Sequence, residues 1–165
     1  MPKFLSPKSI LVAAVLTATP VFAQELEVWG EAGGWDVLID PTLGDGCLIQ
    51  AAYQDGSTVR IGFDRNEGAG YVTAFNEAWG EIEEGTVYPV SFELDGASYE
   101  GEAKGIYLED VPGADIYFTN PDFLFDIAAK NTMTIFNGDS MVLQIDLGGT
   151  MVGLEAAIEC QEELG

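Results

Sequence analysis

The 165-residue sequence contains no histidine and only two cysteines. The lack of histidine excludes Ser-His and Cys-His nucleophilic arrangements, as well as metal sites with imidazole ligands. The two cysteines, Cys47 and Cys160, are far apart in the chain, whereas redox-active thiols usually form a close C-x-x-C pair. We therefore expect a structural disulfide between Cys47 and Cys160.

Positive charge is also scarce, because only six lysines and arginines accompany 28 acidic residues, giving a formal net charge of −22. Nucleic acids and anionic lipid headgroups are bound through Lys and Arg, so this composition predicts neither nucleic-acid binding nor direct membrane binding. Any specific partner or ligand is expected to be cationic. The alternative is that the carboxylates serve solubility alone.

No stretch of the chain approaches the roughly 20 apolar residues that a membrane-spanning helix needs. Residues 1–23 have the pattern of a bacterial secretory signal peptide. Two lysines precede the apolar segment 10–16, and Val21 and Ala23 occupy the small-residue positions before Gln24. The sequence thus predicts export to the periplasm or the medium, with residues 24–165 forming one β-rich domain in an oxidising compartment.

Apolar and polar residues alternate with period two over most of the chain after residue 24, which indicates half-buried strands. Asp55-Gly56, Asp95-Gly96 and Asn137-Gly138 predict hairpin turns, and Pro112-Gly113 predicts a further turn. The predicted fold is mainly β, an antiparallel β-sandwich or barrel. The predicted strands are 26–28, 35–39, 47–53, 59–63, 71–75, 87–94, 99–108, 116–118, 133–136 and 141–145.

Two helices are expected within this β pattern. Asn120 as N-cap and Pro121 at the first helical position predict one short internal helix over 123–129. Thr150 is the expected N-cap of a C-terminal amphipathic helix that runs towards Glu163. Its apolar arc contains Met151, Leu154, Ala157, Ile158 and Cys160, and its acidic arc contains Glu155, Glu159, Glu162 and Glu163.

Trp79 lies in a polar, acidic connection, residues 76–85, where a large aromatic side chain is expected to be partly exposed. Exposed aromatic residues beside charges are typical of binding surfaces. We therefore predict a binding site at Trp79 with Glu81, Glu83 and Glu84. The alternative is that Trp79 only closes one end of the β structure, since tryptophan tends to be buried.

Metal and cofactor sites are not expected. The acidic loops 40–46 and 109–115 offer oxygen ligands, but neither fits the EF-hand pattern. Their Asp, Pro and Gly residues are the usual residues of turns.

Residues 146–160 combine a Leu147-Gly148-Gly149 turn, a helix rich in small residues and a late cysteine, Cys160. This ending resembles that of exported bacterial proteins of the invasion-associated locus B family. The tryptophan strand at Trp35, followed by Cys47, is similar to their opening. The resemblance implies an exported β-rich domain of poorly defined biochemistry and supplies no catalytic residues.

The sequence therefore predicts an exported, strongly acidic binding or interaction module without enzymatic activity. One alternative is a small hydrolase that uses two carboxylates, which would need both groups close together in a cleft. Another is an acidic periplasmic inhibitor of a cationic enzyme, which would present a protruding acidic loop.

The exported protein is expected to begin at Gln24, because signal peptidase cleaves after small residues such as Ala23. N-terminal sequencing of protein from the periplasm or medium measures this directly. A start more than a residue or two away, or retention of residues 1–23, would contradict the prediction.

Overall fold

The computed structural model describes residues 25–165, so the predicted signal peptide lies outside the described residues. This part of the chain forms strands and two α-helices, joined in places by short 3-10 helices at Pro41–Leu43 and Glu77–Trp79. The strands are β1 (Glu27–Ala32), β2 (Trp35–Asp40), β3 (Gly46–Ala52), β4 (Thr58–Asp64), β5 (Ala69–Phe75), β6 (Val87–Leu94), β7 (Ala97–Leu108), β8 (Val111–Phe118), β9 (Thr132–Asn137) and β10 (Ser140–Asp146). The helices are α1 (Phe123–Ala128) and α2 (Thr150–Leu164).

All ten strands belong to one antiparallel sheet in the order β1-β2-β3-β4-β5-β8-β7-β6-β9-β10. The prediction of a mainly antiparallel β fold with a short internal helix and a C-terminal helix is confirmed, and the sheet is not closed. Most strands that are consecutive in sequence pair with each other. The exceptions are β5 with β6 and β8 with β9, because β5 pairs with β8 and β6 pairs with β9. The 76–86 connection therefore crosses from β5, past two strands, to β6.

The sheet curls strongly, which gives it a concave and a convex face. Trp35 opens β2, near one edge of the sheet, yet its Nε1 donates a hydrogen bond of 3.2 Å to the carbonyl of Gly148, just beyond the opposite edge strand β10. Tyr53, just after β3, likewise donates to the carbonyl of Asp146 at 2.8 Å. Side chains from both halves of the sheet consequently share one hydrophobic core on the concave face.

Helix α2 covers the concave face over β1 to β4. Leu154, Ala157 and Cys160 are fully buried, which confirms the amphipathic pattern of the sequence. Gly153 permits the close approach, because a Cβ there would lie 3.1 Å from Cδ1 of Ile49 on β3. None of the helices within residues 25–165 has the length and apolar character needed to cross a membrane.

The disulfide expected from the sequence joins the helix to the sheet. Cys160 of α2 is bonded to Cys47 of β3, with the two Cα atoms 6.2 Å apart and both side chains fully buried. Disulfides persist in oxidising environments, so this bond indicates an oxidising compartment.

Three local predictions are wrong. Asp122 and not Asn120 is the N-cap of α1, and Pro121 lies before the helix, because the Asn120 side chain accepts a hydrogen bond from the Asp122 nitrogen in a turn that precedes α1. Pro112-Gly113 is not a turn but part of β8. The chain reverses at residues 109–110, between β7 and β8, where Glu109 adopts a positive φ of 54°. Gly113 is needed there for a packing reason, because the ring of Phe75 on β5 occupies the space that its Cβ would fill. Thr150 is not the N-cap of α2 but its first residue, because Gly149, with a φ of 76°, supplies the left-handed backbone at the entry.

Asp95, in the β6–β7 hairpin, holds the start of β9 in place. Its carboxylate accepts hydrogen bonds from the backbone nitrogens of Asn131, at 3.1 Å, and Thr132, at 3.0 Å. The Asn131 side-chain amide also donates to it, at 3.1 Å. These donors favour the ionised form and lower the pKa of the Asp95 carboxyl below its usual range.

Asp95→Asn is expected to destabilise the protein at neutral pH, because the amide cannot accept the same set of bonds as a carboxylate. A carboxyl whose pKa is lowered in the folded state stabilises that state above its unfolded pKa of about 4, and this contribution is lost as the pH falls through the folded value. The difference in unfolding free energy between wild type and variant should therefore be largest at neutral pH and shrink in acid. Urea unfolding at several pH values measures it. Asp139→Asn, in the exposed β9–β10 turn, is the matched control, and an equal effect there would contradict the role of Asp95.

Replacing both Cys47 and Cys160 with alanine is expected to lower the free energy of unfolding by about 2–5 kcal/mol, because the bond closes a separation of 113 residues. Hydrogen exchange should rise first in α2, whose outer glutamates repel one another. A reductant should destabilise the wild type similarly and leave the double variant unchanged. Equal destabilisation of both by the reductant would contradict this account.

Candidate functional site

A row of small side chains forms a hollow on the concave face, on the half that α2 leaves uncovered. Ala74 of β5 lies opposite Ala114 of β8, which in turn lies opposite Gly105 of β7. The next row along these strands contains larger residues, among them Val72 and Ile116. Because none of the three residues in the first row extends beyond a methyl group, they become the floor of a cavity.

Aromatic rings fill the opposite end of the same half of the sheet. Phe92 of β6 stacks on Tyr99 of β7 with ring centroids 5.3 Å apart. Phe118 of β8 and Phe123 of α1 complete the cluster, with their centroids 5.2 Å apart. The contrast between large rings at one end and Ala and Gly at the other explains where the cavity lies.

The cavity has a volume of about 530 Å³ and is called here the Trp79 pocket. Trp79 and Ile82, from the connection between β5 and β6, line one side of it. Met141, Val142 and Leu143 of the edge strand β10 also line it. Its volume falls within the range of small-molecule sites, and its lining is predominantly apolar.

The connection that carries Trp79 is fastened to the sheet. The backbone nitrogen of Asn76 donates to the carbonyl of Pro112 at 3.0 Å, and the Asn76 side chain accepts from the nitrogen of Ala78 at 2.8 Å. The Tyr107 hydroxyl accepts from the nitrogen of Ile82 at 3.1 Å and lies 3.0 Å from the carbonyl of the same residue, to which it donates. Trp79 is therefore held by a fixed segment at the pocket, and it also packs against the core.

Glycine at position 105 is required for this attachment. Its nitrogen donates to the carbonyl of Thr86 at 2.9 Å, and its carbonyl accepts from Gly85 at 2.8 Å. A Cβ on Gly105 would lie 2.5 Å from the carbonyl oxygen of Glu83, which is too close for any side chain. Gly105 thus forms part of the pocket floor and also leaves room for the backbone of Glu83 to pack against it.

Three of the four predicted site residues, Trp79, Glu81 and Glu83, line the pocket together. Glu84 is exposed in the same segment and is not a lining residue. Trp79 is half-buried, so the partial exposure expected for it is observed, and it also contacts the core, as the alternative for this residue supposed. Whether these residues bind a partner stays a prediction. Sequence reasoning missed the small residues of the floor, because their alignment depends on β8 lying beside β5, and it missed the contribution of β10.

The most enclosed carboxylates lie on the other, convex face. Alternation along β8 places Asp115 on the face opposite to Ala114 and Ile116, where Thr73 donates to it at 2.5 Å. Burial raises the pKa of the Asp115 carboxyl. On the same face the Tyr117 hydroxyl donates to the buried carboxylate of Asp64. These acids do not face the pocket, and within residues 25–165 no three His, Cys, Asp or Glu side chains cluster so that they could hold a metal ion.

Comparison of the chain with protein-family models, with curated proteins and with solved structures finds no match.

Proposed function

We propose that the chain is an exported binding module, active in the periplasm or the medium, that accepts a partly apolar, positively charged group in the Trp79 pocket. The observation that carries the proposal is the pocket itself, an apolar cavity of about 530 Å³ with Glu81 and Glu83 among its lining residues. An apolar site with a few convergent polar groups is the usual form of a ligand site. The resemblance to the invasion-associated locus B family is consistent with this role and remains a prediction.

The negative charge at the pocket favours a partner with positive charge. Glu81 and Glu83 are exposed at a cavity whose other lining side chains are mainly apolar, in a chain with a net charge of −22. Carboxylates around an apolar anchor speed the encounter with a cationic partner, whereas the buried aromatic contact determines how long the complex lasts.

The two alternative functions are less well supported. A carboxylate-dependent hydrolase needs acids on both sides of a reacting bond. The pocket carboxylates Glu81 and Glu83 are both on one segment, and Asp64 and Asp115 are on the convex face. An inhibitor loop would have to protrude, whereas this segment is bound to Pro112, Tyr107 and Gly105.

The proposal predicts that decyltrimethylammonium binds more tightly than decyl maltoside or decyl sulfate, all used below their micelle-forming concentrations. The three probes share one apolar tail and differ in head charge. Trp79→Ala should weaken binding of the cationic probe by about tenfold or more. Ala114→Leu, which fills the pocket from its floor, should also reduce binding. Isothermal titration and NMR titration measure both effects.

Charge is tested separately by kinetics. Glu81→Gln with Glu83→Gln should lower the association rate and its dependence on salt, because exposed charges are screened beyond about 8 Å at physiological ionic strength. The matched control removes two exposed carboxylates elsewhere, Glu100→Gln with Glu102→Gln on β7. Ala97→Leu, outside the pocket, is the control for added volume. Equal binding of the anionic probe, or intact binding in a folded Trp79→Ala variant, would contradict the proposal.

A further inference from the structure

Strand β10 is an end strand of the sheet and pairs only with β9. From Ser140 to Ile145 it carries no charged residue and no proline, in a chain that contains 28 acidic residues. Natural proteins usually protect an open strand edge with charges, with proline, with a β-bulge, or by covering it. An uncharged edge of six residues is therefore a feature that needs an explanation.

The other end strand, β1, shows the usual protection. It carries Glu27 and Glu31, and the indole nitrogen of Trp29 donates to the carboxylate of Glu163 in α2 at 2.9 Å. Helix α2 packs on β1 to β4. Both end strands contain a β-bulge, so the edges differ in charge, and only β10 has an uncharged run of six residues, from Ser140 to Ile145.

The open edge adjoins the Trp79 pocket. In a regular strand, alternate side chains point to opposite faces, yet Met141, Val142 and Leu143 all line the pocket. A β-bulge between Met141 and Leu143, seen as a shift of register against β9, accounts for this, since bulges re-aim side chains. Met141 is 63% exposed at the same place.

We infer that the partner of the pocket is an extended, basic segment of another protein, which adds as a strand to the β10 edge. This inference rests on the proposed function and names its partner. Backbone hydrogen bonds to β10 would hold the segment, while one large apolar side chain enters the pocket. Lysine or arginine residues of the segment would lie near Glu81 and Glu83.

Charge selects this occupant over a second copy of the chain. Two copies with net charges of −22 repel each other, and Asp139 and Asp146 flank the edge at either end. A basic strand would instead be attracted both by the net negative charge of the chain and by Asp139 and Asp146. The segment needs about six residues to match Ser140–Ile145, because the Asp146 carbonyl already accepts from the Tyr53 hydroxyl.

The probe is an acetylated and amidated heptapeptide of alternating lysine and valine with one central phenylalanine. Successive backbone nitrogens of a strand point to opposite sides. Two control peptides therefore carry N-methyl groups on alternate nitrogens, one set on each side, at unchanged charge and side-chain composition. One control should bind at least about tenfold more weakly than the parent, which corresponds to one or two backbone hydrogen bonds. The other should change by less than about twofold.

Hydrogen exchange locates the contact. The parent peptide should slow exchange in residues 140–146 of the wild-type protein, whereas decyltrimethylammonium, which has no backbone, should not. Equal binding of both methylated peptides, or no protection at 140–146 while decyltrimethylammonium binds normally, would overturn strand addition and leave the proposed function standing. Failure of every cationic probe would overturn both. Protection at 140–146 that rises with protein concentration alone, with a dimer in sedimentation, would assign the edge to a second copy and overturn the inference.

Discussion

A single helix is too narrow to cover the concave face of a ten-stranded sheet, and the rest of the structure follows from this. Ten strands spaced about 4.8 Å apart span roughly 43 Å across the sheet. Helix α2 runs along β2, from Gly153 beside Trp35 to Cys160 bonded to Cys47, so it covers the sheet only by its width of about 10–12 Å. The bond between Cys47 and Cys160 fixes the helix over one half of the sheet. Side chains alone must fill the other half, and Ala74, Ala114 and Gly105 leave it partly empty.

The strand order then determines what surrounds the empty part. Because β6 pairs with β7 and β9 instead of with β5, the connection after β5 must run across the end of β8 and β7 before β6 begins. This route brings Trp79 and its glutamates over the small residues. The pairing of β9 with β6 also leaves β10 as the last strand, so an acidic segment and an uncharged strand edge meet at one cavity.

Local features of the fold were predictable from the sequence, and long-range ones were not. Asp95-Gly96 specifies a tight hairpin, since both residues adopt a positive φ. The predicted strands on either side of it, 87–94 and 99–108, agree with β6 and β7 to within two residues. The turn predicted at Pro112-Gly113 is absent, because Gly113 is required by packing and not by a turn. The ring of Phe75, on a strand distant in sequence, fills the space that a Cβ on Gly113 would need. Likewise, the aromatic and acidic composition around Trp79 indicated a binding segment, but the cavity beneath it depends on the unpredicted neighbourhood of β5 and β8.

The position of the disulfide also governs the order in which the molecule can be completed. Cys160 follows Cys47 by 113 residues, so a chain under synthesis presents Cys47 long before its partner. The early thiol cannot mispair within the molecule, since the sequence has no third cysteine. Because α2 follows all ten described strands in the chain, the helix and its bond can be added only after those strands have been synthesised.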